Sequence, residues 1–207
     1  MDFLLKKLSS PSLKERILFC SIAFLLLFIG MTIISYYSLP EGFLKNKNPL
    51  HNWETSKNTF ILTLQIFFFN QLSVVVIVLG SLFGQKKEQD INYLSIGYLA
   101  FFSQILINSV VLGTWSFSVE SAAVPLFSRI AGTFDLLHRA GIWEMSGQLL
   151  ITCSVAHIST ILTSGKTTIT KKIRNIRLSE AEKLIFSVGL LLMLTGAVIE
   201  SISINTL

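Results

Sequence analysis

Residues 17–39 read ILFCSIAFLLLFIGMTIISYYSL, an apolar run without a single charged side chain. A bilayer core about 30 Å thick needs about 20 apolar residues in a helix, so this run is long enough to cross a membrane. It is also longer than the apolar part of a signal peptide, which has about 7–15 residues, and no small-residue cleavage site follows it at residues 36–40. We interpret the run as a retained membrane anchor.

Four further apolar runs follow along the chain, and the last two contain one carboxylate each. They are 59–84, 91–119, 141–165 with Glu144, and 184–204 with Glu200. The chain of 207 residues is 51% apolar and only 14% charged, against about 25% charged residues in a soluble domain. The sequence therefore predicts an all-α, polytopic helical membrane protein. We expect five transmembrane helices that form a single membrane-embedded bundle over residues 1–207.

The distribution of Lys and Arg predicts how the chain is oriented. If the N-terminus is cytoplasmic, twelve of the 17 basic residues fall on the inner side and five on the outer side. Cytoplasmic loops are enriched in Lys and Arg. We therefore expect a multi-pass protein of the cell membrane with a cytoplasmic N-terminus and an external C-terminus.

A basic segment at residues 166–177 lies on the predicted cytoplasmic side. No aromatic residue is interleaved with its cations, so base stacking is not expected and we predict no nucleic-acid partner. Two interpretations remain, an orientation signal beside anionic lipid headgroups and a docking surface for a cytoplasmic partner. The candidate docking residues are Lys171, Lys172, Arg174 and Arg177.

Small residues in the second apolar run predict a helix-packing face. Gly80 and Gly84 form a G-x-x-x-G pattern on the same face as Asn70, at the spacing that lets two helices approach closely in a membrane. We expect this face to contact another helix.

Buried polar side chains predict a polar core or a substrate path within the bundle. A carboxylate inside a span is costly and tends to face the bundle interior or a cavity, which makes Glu144 the leading functional candidate. The alternatives are interhelical hydrogen bonds for the amides, and a carboxylate that reaches headgroup water for Glu144. The proposed path consists of Glu144, Gln148, Asn108, Gln104 and Asn70.

The segment before the fourth run, residues 124–139, has the pattern of an amphipathic helix. Phe127, Ile130, Phe134 and Leu137 recur at helical spacing, away from Arg129. We expect either a helix that lies flat on the outer surface or a re-entrant helix.

The polar residues of these runs resemble the stage II sporulation protein M family of small bacterial and archaeal membrane proteins. In that family an Asn followed by glycines occurs in an early span, an Asn followed by Gly occurs in a later one, and a His-Gly-Ile-x-Glu motif opens another. The matching residues lie within about residues 57–165 and are Asn70, Gly80, Gly84, Asn108, Gly113 and Gly141-Ile142-Trp143-Glu144. The nearest equivalent of the family's histidine is His138, and we expect His138 or Arg139 to pair with Glu144.

What the resemblance implies is a small helical membrane subunit that works with partners. Some members look like permease components beside ATPases, one supports peptidoglycan remodelling, and others occur with bacteriocin export and immunity. We therefore expect a permease-like or scaffold subunit of a multi-component membrane assembly for export. The expected partners are membrane lipids, other subunits such as an ABC-type ATPase, and further copies of the chain.

Two other functions are carried as alternatives. The first is a structural or immunity-like protein that binds one partner in the membrane through the Gly80 and Gly84 face. The second is an intramembrane hydrolase with Glu144 as base and His138 or His157 as a metal ligand, although the chain contains no H-E-x-x-H sequence. Neither a Walker A sequence nor a metal-binding spacing occurs, so we expect no cofactor and no enzymatic activity.

Overall fold

Seven helices and four short strands form the described part of the chain. The computed structural model describes residues 2–45, 47, 56–86, 92–117, 123–165, 167–172, 174 and 176–206. The helices are α1 (Asp2–Leu8), α2 (Leu13–Ser38), α3 (Thr59–Ser81), α4 (Gly97–Gly113), α5 (Leu126–Thr133), α6 (Gly141–Val155) and α7 (Glu180–Thr206). The strands are β1 (Phe83–Gln85), β2 (Leu94–Ser95), β3 (Ile161–Ser164) and β4 (Thr167–Thr170).

Three of these helices are long and apolar enough to cross a membrane, namely α2, α3 and α7. Large apolar side chains are exposed along all three, among them Leu26 on α2, Phe68 on α3 and Leu191 on α7. An apolar outer surface of this kind is stable against lipid rather than water. The chain thus has the character of a helical membrane protein.

The expectation of five membrane-spanning helices is wrong for the described residues. The run 91–119 yields only α4, a helix of 17 residues, and the run 141–165 yields only α6, a helix of 15 residues. At 1.5 Å per residue these helices are about 26 Å and 22 Å long, less than the bilayer core. Their apolar character marked both runs as spans, although their ends form strands and turns.

The expectation of an all-α fold is also corrected, because the chain contains a small sheet. Its strand order is β2-β1-β3-β4, with β1 parallel to β3 and the other two pairs antiparallel. Ile161 and Thr163 in β3 and Ile169 in β4 are β-branched, which favours strands over helix. Gly165 has a φ of 55°, which accommodates the chain reversal after β3.

The helices run in alternating directions between two ends of the bundle. The end at which α3 begins and α2, α4 and α7 end, and towards which the first turn of α6 is directed, is called the cavity end below. The opposite end, where the sheet connects α3 to α4 and α6 to α7, is called the sheet end. This arrangement places Thr63 near the start of α3 against Ser201 near the end of α7, with their hydroxyl oxygens 2.6 Å apart.

Glycines let α6 and α7 pack closely against each other. A Cβ atom added at Gly147 would lie 2.6 Å from the carbonyl oxygen of Gly189 and 2.6 Å from Cγ of Met193. The same holds for α3 and α4, because a Cβ at Gly97 would lie 2.9 Å from the carbonyl oxygen of Ile77. Close backbone approach through small residues is the usual way in which helices associate in membranes.

The predicted G-x-x-x-G face is only half correct. Gly80 lies in α3, and a Cβ added there would lie 3.4 Å from Cα of Gly97 in α4. Gly84 lies in β1 instead of the helix, and a Cβ there would lie 2.6 Å from the Tyr93 side chain and 2.7 Å from that of Leu162. Both glycines therefore pack within this chain and do not form a shared helix face for a partner.

The predicted amphipathic segment forms the short helix α5 with its apolar side turned outward. Phe127 and Leu137 are 83% and 80% exposed, whereas Arg129 is only 7% exposed. Arg129 points into the protein, where its guanidinium group donates to the backbone carbonyl oxygens of Gly113 and Val124.

The two cysteines are buried and free, as their apolar surroundings suggest. Cys20 lies in α2 and Cys153 in α6, and both side chains are inaccessible to solvent. Both belong to an apolar core shared by α2, α4 and α6, which also contains Phe24, Phe101 and Leu149.

Candidate functional site

The helix α6 begins half-way along its neighbour α3. Asn70 is the central residue of α3, with eleven residues before it and eleven after it in the range Thr59–Ser81. Its side-chain nitrogen Nδ2 donates a hydrogen bond to Oε1 of Glu144, which lies in the first turn of α6. The first turn of α6 therefore lies at the depth of the middle of α3.

Glu144 is consequently located deep in the bundle and not at its surface. Its methylene chain lies against Gly196 of α7, where an added Cβ would come within 2.8 Å of Cγ of Glu144. Ten further residues of α7, from Ala197 to Thr206, continue from this level to the cavity end. The interpretation that Glu144 reaches headgroup water because it starts a span does not fit this depth.

A half-open cavity of about 950 Å³ occupies the space that α6 leaves free towards the cavity end. Its floor includes Glu144 and Gln148 of α6 and Phe28 near the middle of α2, and Asn108 of α4 lines its wall. Asn108 is exposed although α4 is an apolar helix, because its amide lines the cavity. Three of the five predicted path residues thus line one cavity, and Asn70 binds Glu144 at its floor.

Two amide oxygens near the bundle interior have no hydrogen-bond partner among the described residues. They are Oε1 of Gln104 and Oε1 of Gln148. Gln148 is only 7% exposed and lies one helical turn after Glu144, so its oxygen and the carboxyl group are on the same side of α6. A buried acceptor without a donor is costly, which marks the floor of the cavity as incomplete in the protein alone.

Acidic and basic side chains are separated along the cavity. Glu144 and Glu200 lie towards the floor and the α7 wall, while the cationic side chains of Lys47, Arg129 and Arg139 line other parts of the surface. Glu200 is one turn beyond Gly196 on α7, the residue that touches Glu144. The cavity therefore brings two carboxyl groups together, which the sequence did not indicate, since Glu200 was not a path residue.

The predicted pairing of His138 or Arg139 with Glu144 is not present in the described contacts. Nδ1 of His138 lies 3.1 Å from both carboxylate oxygens of Asp135, and this hydrogen bond lowers the pKa of Asp135. Arg139 lines the cavity, near Gly132 of α5. The partner of Glu144 is Asn70.

Arg129 closes the end of α4 beside the cavity. Its Nη1 donates to the carbonyl oxygen of Gly113 at 2.6 Å and its Nε donates to that of Val124 at 2.6 Å. The guanidinium also lies over the rings of Tyr36 and Trp115, 4.9 Å and 5.1 Å from their centroids. A cation at a helix C-terminus is favourable because the last carbonyl groups carry partial negative charge.

A second buried arginine organises the sheet end. Arg16 has no exposed surface, and its Nη2 donates to Oε1 of Glu182 at 2.6 Å. Its Nε donates to the carbonyl oxygen of Cys153, and its Nη1 binds the carbonyl oxygen of Ser10 and Nδ1 of His157. The sequence contains this residue among the cations before the first span, and nothing in its spacing indicates a partner more than 130 residues away.

The two histidines that the structure describes, His138 and His157, lie at opposite ends of α6. His138 precedes α6 at the cavity end, and His157 follows α6 at the sheet end, where it accepts a hydrogen bond from Arg16. Within the described ranges no group of three His, Cys, Asp or Glu side chains could hold a metal ion. The two histidines therefore do not meet at one site, and the hydrolase alternative stays a prediction.

A comparison of the chain with family models, curated proteins and solved structures gives no match in any of the three. The resemblance to the stage II sporulation protein M family stays a prediction that rests on the quoted residues.

The candidate docking residues are exposed beside the outer strand of the sheet. β4 is the last strand of the sheet, all four of its residues are exposed, and it pairs with β3 on one side only. Lys171 and Lys172 follow it directly, and Arg174 and Arg177 are exposed a few residues later. The basic residues and a strand edge thus occur together at the sheet end.

Proposed function

We propose that the protein is a permease-like subunit of a multi-component membrane assembly for export. The observation that carries this proposal is the polar cavity, which reaches from the cavity end to Glu144 at the middle of α3. A cavity of several hundred cubic ångströms with apolar walls and a few convergent polar groups is the usual form of a small-molecule site. In a membrane protein such a cavity offers polar groups to a substrate, whereas the lipid hydrocarbon offers none.

The proposed orientation has the sheet end in the cytoplasm and the cavity end outside. The excess of basic residues before α2 and around the sheet supports it. The membrane is the cell membrane in this proposal, and the resemblance to the stage II sporulation protein M family gives the expected class of assembly.

A separate ATPase supplies the energy in this proposal, because the sequence contains no Walker A motif. The exposed basic residues after β4 are the proposed docking surface, since they are at the proposed cytoplasmic end and follow a strand that pairs on one side only with another described strand. Further copies of the chain and membrane lipids are the other proposed partners.

The test uses the protein purified with its partner from the native membrane. We expect the wild-type complex to hydrolyse ATP, and Glu144→Gln to keep the complex intact while changing the rate of hydrolysis. Glu41→Gln is the matched control, because Glu41 is an exposed carboxylate outside the cavity. Equal rates for both variants and the wild type would contradict a role of the cavity, and a purified protein without an associated ATPase would overturn the proposed partner.

The docking surface is tested by charge reversal. We expect the double variant Lys171→Glu and Lys172→Glu to lose the ATPase during purification, because like charges then repel an acidic partner. Lys14→Glu is the control, since Lys14 is an exposed cation at the same end of the bundle. Loss of the ATPase in both would indicate a general effect of charge.

A further inference from the structure

The floor of the cavity holds two carboxyl groups that no cation neutralises. None of the ion pairs formed by the described residues involves Glu144 or Glu200. Glu144 receives one hydrogen bond from Asn70, and Glu200 lies one turn from the glycine that Glu144 touches. Two carboxylates in a low-dielectric site repel each other, and each loses solvation that a single hydrogen bond does not replace.

An independent observation is the buried oxygen of Gln148. Its Oε1 lacks a donor, and the residue lines the cavity with Glu144 and Glu200. An amide oxygen accepts hydrogen bonds or binds a positive charge. The group that pairs with Oε1 of Gln148 is therefore a hydrogen-bond donor or a cation. A carboxylate cannot supply it, but a protonated carboxyl group has one O–H donor.

We propose that Glu144, Glu200 and Gln148 form a proton-binding site that exchanges with solvent through the cavity. This inference rests on the proposed function, and it identifies the ion that reaches Glu144 through the cavity as a proton. A proton from water in the cavity forms an O–H bond with one carboxylate oxygen, and the same proton returns to water when it leaves. Oε1 of Gln148, which lines the same cavity, is the proposed acceptor for this O–H group, and the remaining negative charge is stabilised by the Asn70 amide and the start of α6.

In the part of the chain that the structure describes, the basic groups around the cavity form no ion pair with the proposed proton-binding carboxyl groups. Arg129 is bound to backbone carbonyl groups, and His138 is bound to Asp135. The other charged groups that line the cavity are Lys47 and Arg139, and neither forms an ion pair with Glu144 or Glu200 among the described contacts.

The experiment measures the protonated carboxyl group directly by infrared spectroscopy on protein in lipid nanodiscs. The C=O stretch of a protonated carboxyl group is separate from the bands of carboxylates and amides. We expect the wild-type protein to show this band at neutral pH and to lose it at alkaline pH. The double variant Glu144→Gln and Glu200→Gln should lack it, and Glu41→Gln should retain it.

Two further measurements decide between a proton and another cation. In Glu200→Gln we expect a weaker band at neutral pH, because the neighbouring like charge that favours the protonated form is gone. Replacement of choline by sodium or potassium at constant pH should leave the wild-type band unchanged. A band that disappears in sodium or potassium, that persists in the double variant, or that is absent at neutral pH would overturn the proposal. None of these results depends on ATP hydrolysis, so they are independent of the test of the proposed function.

Discussion

Arg16 on α2 and Glu182 on α7 lie 2.6 Å apart and join the first and the last membrane-length helix of the chain. The arginine is fully buried and the carboxylate is 13% exposed. Because the guanidinium also binds the last turn of α6, three helices meet at one side chain. This contact fixes the sheet end of the bundle.

Substitution of Arg16 should therefore be costly. We expect Arg16→Met to lower the free energy of unfolding by about 3–5 kcal/mol, because Glu182 loses its partner in a nearly buried position. Thermal unfolding in detergent measures the effect. Lys7→Met is the control, since the Lys7–Glu15 pair is exposed to solvent and should contribute little to stability. A similar loss in both variants would contradict the central role of Arg16.

The stability of the sheet end should depend on pH through His157. Burial and the adjacent Arg16 guanidinium lower the pKa of His157, so the folded protein favours the neutral ring. The unfolded chain takes up the proton below its ordinary pKa of about 6.5, which favours unfolding as the pH falls. We expect the unfolding temperature to decrease from about pH 7.5 to about pH 5.5.

The contribution of His157 is separated from that of other groups by His157→Gln. The amide keeps a hydrogen-bond acceptor for Arg16 but does not titrate in this range. Its unfolding temperature should decrease less than that of the wild type over the same pH interval. Identical slopes for the two proteins would show that His157 is not the titrating group.

The close contact between α6 and α7 predicts a strong difference between two glycines. Gly147→Ala should destabilise the protein by about 1–3 kcal/mol, because the new methyl group overlaps the Gly189 carbonyl oxygen and Met193. Gly30→Ala should be neutral or stabilising by up to about 1 kcal/mol, since nothing lies within 4 Å of its Cβ position in α2. Unfolding in a denaturing detergent compares the two, and equal stability would contradict the packing.

The proposed orientation predicts opposite labelling at the two ends of the bundle. Thr206→Cys, at the cavity end, should react with a membrane-impermeant thiol reagent in intact cells. Thr168→Cys in β4 should react only after permeabilisation. Both positions are exposed, and the native Cys20 and Cys153 are fully buried and should not contribute. The reverse pattern would invert the proposed orientation.

The lengths of the apolar runs predict much of the architecture, but they do not show where a helix ends and a strand or turn begins. The runs 17–39, 59–84 and 184–204 supply most of α2, α3 and α7, which have 26, 23 and 27 residues. The run 141–165 has the same apolar character, yet its second half contains β-branched residues that pair with β1 and β4. This pairing depends on contacts with distant segments, which a local pattern does not contain.

The candidate site shows a similar division between local and long-range information. The helical spacing of Glu144 and Gln148 predicts that they lie on one side of α6, and the cost of an amide in lipid draws attention to Asn108; all three line the cavity. The contact of Asn70 with Glu144 depends on where α6 begins relative to α3, and the proximity of Glu200 depends on the α6–α7 packing. The residue spacing within a single segment predicts neither of these two contacts.

The depth at which α6 begins also determines where a transmembrane voltage acts on the protein. Solvent in the cavity brings the electrical potential of one side to the level of Glu144, so most of the voltage falls across the about 22 Å of α6 between its first turn and the sheet end. A charge that crosses the full voltage changes its energy by about 2.3 kcal/mol per 100 mV. A proton that enters through the cavity crosses little of this potential, whereas a charge that moves onward from Glu144 experiences most of it.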